Sequence, residues 1–132
     1  MPLPEVAEAI NALYVESEDR VWLAGANGTL LVGNANDGFK SLSSVDDNQL
    51  FLGVCEYFGK VYLPSTLGLF VYDVQDPAAG IREVVTGLVP ELQDARIIDR
   101  ANGVLWSVGG KDIAKFDGKT WTRIHHPDND PI

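Results

Sequence analysis

Apolar side chains in this chain come in runs of strand length, each cut by a short polar turn. The runs are rich in β-branched and aromatic residues, and they predict strands near 11–17, 20–26, 28–34 and 38–43. A second set follows near 50–57, 60–66, 68–74 and 80–86, and a third near 95–100, 103–109, 112–117 and 119–125. The intervening turns carry Asn27-Gly28, Asp37-Gly38, Asn102-Gly103 and Asp117-Gly118, residue pairs that accept the left-handed backbone of a tight hairpin. Helical periodicity is confined to one turn within residues 4–10.

The three sets are copies of one pattern. Trp22, Tyr62 and Trp106 serve as a common anchor, 40 and 44 residues apart. Nine residues before them lie Leu13, Gly53 and Ile97; eight after lie Leu30, Phe70 and Ala114; ten after lie Val32, Tyr72 and Phe116. The copies align without a gap over about twenty positions, and the recurrence marks the anchors as core between repeats. Four short antiparallel strands in each such period is the pattern of a β-propeller blade. The expected fold is all-β: a single domain over 1–132 with blades at about 10–44, 48–87 and 94–126, which is half a propeller.

In the third copy, Val104-Leu105-Trp106-Ser107-Val108-Gly109 is followed by Phe116-Asp117-Gly118-Lys119-Thr120-Trp121. This resembles the blades of bacterial propellers of the photosystem II assembly-factor type and the Asp-box, or sialidase-like, repeats. The resemblance implies a propeller and little about activity. An Asp-box reads Ser-x-Asp-x-Gly-x-Thr-Trp, whereas this copy lacks the leading Ser and one residue. Asp37-Gly38 echoes it more weakly, and the second copy has Asp76-Pro77-Ala78-Ala79-Gly80 instead.

Three blades cannot close a ring, so two sheet faces lined with apolar residues would meet water at about 25 cal/mol per Å². Two-fold pairing into a six-bladed propeller is the simplest remedy, and a homodimer is expected. Leu3-Pro4-Glu5-Val6 also resembles the linker Val89-Pro90-Glu91-Leu92, so the sequence is expected to start at a blade junction.

Charge narrows the partners. The net charge is −9, which disfavours nucleic acid and anionic membranes, both of which need Lys and Arg. Residues 1–95 hold 14 acids and 4 bases, whereas 96–132 hold 5 acids and 6 bases. An acidic face suits a basic protein partner. The lone Cys55 sits in an apolar stretch and reads as a buried, inert thiol. Met-Pro-Leu-Pro-Glu is unlike a signal peptide, and no apolar run is long enough to span a bilayer, so a cytoplasmic location is expected.

Candidate chemistry is sparse. There is no nucleophile elbow, Walker loop or Cys-x-x-Cys, and Gly25, Gly28 and Gly33 lack the strand-to-helix setting of a dinucleotide site. No cofactor, metal or catalytic residue is assigned. His125 and His126 with Asp128 and Asp130 read as a solvated tail, because adjacent histidines on a strand point to opposite faces. Glu16 and Glu56 occupy one repeat position, with Arg100 in the third copy, and would line one mouth of the channel. Tyr57, Phe58 and Phe39 are the aromatics that could stack on a sugar.

Loops and linkers on one propeller face collect Asn27, Ser65, Thr66, Lys111 and Asp112, with Asp46, Asp47, Glu91, Gln93 and Asp94. The expected function is therefore a non-enzymatic recognition scaffold that binds a protein partner through this acidic face. The alternatives are a lectin-like glycan binder, an inhibitor or immunity-type protein, and a glycoside hydrolase using Glu16 or Glu56.

Overall fold

A computed structural model describes residues 10–26, 28–42, 50–65, 68–89, 91–92, 95–109 and 112–124. They form twelve strands and one 3-10 turn. The first sheet contains β1 (Ile10–Ser17), β2 (Arg20–Gly25), β3 (Leu30–Asn34) and β4 (Gly38–Ser41). The second contains β5 (Cys55–Tyr57), β6 (Lys60–Ser65), β7 (Gly68–Asp73) and β8 (Ile81–Glu83), with the 3-10 turn Pro77–Ala79 between the last two. The third contains β9 (Ile97–Ala101), β10 (Val104–Val108), β11 (Ile113–Phe116) and β12 (Trp121–Arg123). Each sheet runs in chain order with antiparallel neighbours, and β5 lies against both β1 and β9. First strands gathered on one line, with the later strands fanning outward, are the arrangement of propeller blades.

The predicted strands match these within a few residues, except β5, whose pattern predicts a start at residue 50. Its ladder stops at the Cys55–Tyr62 pair. Further along β6 stands Pro64, which has no N–H to give to the first strand. Upstream of β5, Leu52 N donates to Pro64 O at 2.8 Å and Phe51 forms an isolated bridge with Ser65.

Because directly opposed residues share a face, strand register shows which side of each blade meets which neighbour. Trp22 on the first blade faces the second, where its ring lies 6.5 Å from Tyr72. Tyr62 of the second blade faces the third, 6.4 Å from Trp121. The residue just before each anchor points the other way. Val61 belongs to the first seam and Leu105 to the second, and both are fully buried. Trp106 is equivalent to Trp22 and Tyr62, yet it is half-buried on the outer side of the third sheet. The expectation of inter-blade core thus holds for two anchors and is corrected for the third.

The gapless alignment also needs correction in the first blade. Tyr62 pairs with Val71 and Trp106 with Lys115, nine residues on, whereas Trp22 pairs with Val32, ten residues on. On the other side a register shift falls between Val15 and Ser17, so Glu16 is the extra residue of a β-bulge. The structural counterparts of Phe70 and Ala114 are therefore Leu31, not Leu30; those of Tyr72 and Phe116 are Gly33, not Val32.

Turn chemistry follows the sequence where it is described. Asn102 and Gly103 both have positive φ, 53° and 80°, the signature of a type I′ hairpin. The Asp117 carboxylate accepts the amides of Lys119 and Thr120 at 2.8 Å each, closing the last hairpin as an Asp-box would. These two amides, Thr120 foremost, hold Asp117 below the usual carboxylate range.

Candidate functional site

The first-strand hairpins bring the sequence-selected charges close to one end of the blades. Glu16, displaced by the bulge, accepts the Trp22 indole N–H at 2.9 Å and lies 3.7 Å from Arg20 Nε. Arg20 also stacks over the Trp22 ring, 5.1 Å from its centroid. On the second blade, Glu56 accepts the Gly59 amide at 2.9 Å and pairs with Arg100 Nη1 of the third blade, also at 2.9 Å. Arg100 further donates to the Glu56 carbonyl at 3.3 Å and covers the rings of Tyr57 and Phe58.

Glu56 and Arg100 are thus joined across a seam, while Glu16 is engaged within its own blade. Both carboxylates are occupied by donors. Nearby, burial raises the Tyr14 hydroxyl, with the Cys55 thiol adding to the effect and Arg100 opposing it. Cys55 is fully buried, and burial, then the charge of Asp99, pushes its thiol up to about 12. A protonated thiol in that setting is a poor nucleophile.

Tyr57 is buried, and its hydroxyl donates to the carbonyls of Gly103 at 2.6 Å and Phe116 at 3.3 Å. Phe39 is half-buried on the first sheet. Of the three aromatics considered for sugar stacking, Phe58 alone is displayed, 70% exposed at a hairpin tip. Its φ of 49° is unusual for a bulky residue, and Gly59 beside it is also left-handed, at 81°.

The expected binding rim is placed only in part. Asn27, Asp46, Asp47, Thr66, Gln93, Asp94 and Lys111 lie outside the described residues, as do His125, His126, Asp128 and Asp130. Ser65 ends β6 at 1% exposure, with its carbonyl accepting the Ala95 amide at 3.1 Å. Asp112 is buried and bound to Arg123 Nε at 2.9 Å. These two are corrected from displayed loop residues to seam and turn supports, since burial and bonding turn them away from solvent.

Glu91 is spent largely on its own linker. Its carboxylate accepts the Thr86 hydroxyl and the amides of Thr86 and Leu92. Burial alone would raise its pKa, but these bonds outweigh that and hold it low. The braced linker tucks Leu88 and Leu92 into the core and leaves Val85 and Val89 more than four-fifths exposed. Sequence reading missed these two valines, because nothing in Val-x-x-x-Val separates an inward face from an outward one without the Thr86–Glu91 tie. Among the described residues no group of three His, Cys, Asp or Glu could hold a metal, and no helix is long and apolar enough to cross a membrane.

No family model matches the sequence. The chain is similar to the Immune protein Tsi7 of Pseudomonas aeruginosa, with 30% identity over 115 residues. That match takes in 87% of this chain and 36% of Tsi7, so the chain spans about a third of that relative's length. Among solved structures it is similar to YCF48 bound to D1 peptide, at a TM-score of 0.69 and 19% identity, over 93% of this chain and 42% of that one. This second likeness shows the fold: three four-stranded antiparallel sheets arranged as propeller blades, as expected from the repeats.

Proposed function

We propose that this chain is a non-enzymatic recognition scaffold of the inhibitor or immunity type, acting as a homodimer on a protein partner. The observation that carries the reading is the similarity to Immune protein Tsi7 across most of the chain. The acidic balance supports it, since a net charge of −9 steers a basic partner toward the scaffold. The rival classes have less behind them. A sugar platform retains one displayed aromatic of three, and the two carboxylates proposed for a hydrolase are held by Trp22 and Arg100.

The test begins with capture by tagged chain in cells that carry the natural gene, followed by reassembly of the identified protein with this chain from pure components. A stoichiometric complex that abolishes the partner's own activity is the expected result. Failure of every captured protein to bind in pure form would remove the reading. Substituting Asp46, Asp47 and Asp94 together by Lys should weaken that complex at least tenfold at low salt. Unchanged affinity would remove the acidic face from it while leaving the scaffold.

A further inference from the structure

The first hairpin of the second blade sets an aromatic ring in water at a position that suits a different residue. Phe58-Gly59 joins β5 to β6 as a two-residue turn, and both residues are left-handed, at 49° and 81°. In the third blade the same turn is Asn102-Gly103, at 53° and 80°, and Asn accepts that backbone readily. A bulky side chain there strains the chain, yet the ring stays 70% exposed and so gains little by burial. It stands on the middle blade, whose β5 has a blade on either side. Its neighbours hold it in place. The Tyr57 and Phe58 rings meet edge-to-face at 4.6 Å, and the Arg100 guanidinium lies 5.7 Å from the Phe58 centroid. Tyr57 is fixed by two carbonyls of the third blade, and Arg100 by Glu56 at 2.9 Å. Acidic turns surround the tip. The Val74 amide donates to the Gly59 carbonyl at 3.1 Å, which brings in the segment from Asp73 to Asp76. A Cβ on Gly118 would stand 3.8 Å from the Tyr57 hydroxyl, so the Asp117-Gly118 turn adjoins as well. Asp76 and Asp117 are exposed, as are Glu18 and Asp19 at the same end of the first blade, against Lys60 and Lys119.

We infer that Phe58 is an anchor for a protein partner, entering an apolar pocket on that protein whose rim carries Lys or Arg. Aromatic side chains are enriched where protein interfaces are fully buried, and a few such anchors carry most of the binding energy. A ring already held by its neighbours loses little freedom on docking. The surrounding carboxylates select a basic rim around the pocket. A guanidinium over the ring favours insertion into a pocket above stacking on a sugar. This inference rests on the reading of the chain as a binding scaffold and names one point of contact for it.

The experiment places a photo-reactive benzophenone amino acid at position 58 or at position 85, in cells that carry the natural gene. Val85, on the linker after β8, is 83% exposed, so the comparison reports proximity and not mere access. A protein adduct should form at 58 and not at 85. With that protein and this chain in pure form, Phe58→Asn should dissociate at least tenfold faster than wild type. The loss should persist at high salt, because a buried ring acts on dissociation whereas surface charge acts on encounter. Phe58→Tyr should stay near wild type, and circular dichroism checks that both variants are folded. An adduct at 85 alone, or dissociation that Phe58→Asn leaves unchanged, would overturn the anchor while the scaffold reading stands. No adduct at either position would also overturn it, and if the tagged chain captures no partner the scaffold reading falls too. Binding to a sugar array that Phe58→Asn abolishes, with no protein adduct, would give the ring to a glycan instead.

Discussion

The two seams of the molecule are built on one template and held by different chemistry. The first, between blades one and two, is mainly apolar: Trp22, Leu30, Val61 and Leu63 close on Phe51 and Tyr72, with the Phe51 amide donating to the Gly25 carbonyl at 3.1 Å and Asn11 Nδ2 to the Phe51 carbonyl at 3.4 Å. The second keeps the apolar centre but adds directed ties. Tyr57 reaches two carbonyls of the third blade, Arg100 reaches back to Glu56, and Phe116 and Trp121 stack at 4.7 Å beside Tyr62. Area dominates the first seam, whereas the second adds side-chain bonds of fixed geometry. Non-directional burial tolerates sliding, while a hydroxyl aimed at a carbonyl does not. The difference teaches that a blade repeat preserves shape and leaves the adhesive free to vary.

Breaking the first seam should cost most. Trp22→Ala removes its largest buried side chain and leaves Glu16 without the indole donor. Denaturant unfolding should show a loss of about 3–5 kcal/mol. In the second seam, Tyr57→Phe keeps the ring and deletes the hydroxyl, leaving two carbonyls short of a donor; the same measurement should read about 1–3 kcal/mol. An equal loss from both variants would erase the distinction between area and direction.

Smaller effects sharpen it. A double-mutant cycle on Glu56→Gln and Arg100→Met should give a coupling of about 1 kcal/mol or less, shrinking with added salt, because Arg100 is a third exposed. At the hairpin tip of the second blade, Phe58→Asn should stabilise by about 1 kcal/mol, as Asn accepts the left-handed backbone that Asn102 already adopts one blade on. A thermal melt that falls instead would mean that the contacts of the Phe58 ring with Tyr57 and Arg100 outweigh the backbone strain relieved.

Alkali should act on the second seam first. Burial pushes Cys55 and Tyr62 up to about 12, from ordinary values of 9.0 and 10.0, and both face the third blade. A raised folded value means that the native state holds its protons longer than the unfolded chain does. The stability they confer is complete below pH 9 and is lost as pH rises toward about 12. Melting temperature should decline over that window, with the fluorescence of Trp121 changing before that of Trp22. Cys55 should stay unmodified by a thiol reagent at neutral pH until the chain unfolds.

Much of the fold was legible along the chain because a blade is a local object. Its strands are neighbours in sequence, and its turns announce themselves through Asn102-Gly103 and Asp117-Gly118. The candidate site was less so. Glu16 and Glu56 share a sequence position, but the bulge at Glu16 sends one carboxylate to its own Trp22 while the other crosses to Arg100. Ser65 and Asp112 read as loop residues, and their burial follows from neighbours distant in sequence.

By itself the sequence determined the strands, the turns and the three-fold count, since apolar alternation and left-handed turn pairs act over a few residues. Only the tertiary structure decided which side of each blade is covered. A one-residue bulge moves side chains between faces, and the apolar pattern reads the same on either one. For the same reason, the half-burial of Trp106 on the outer side of the third sheet could not be told from the full burial of Trp22 until the blades were stacked.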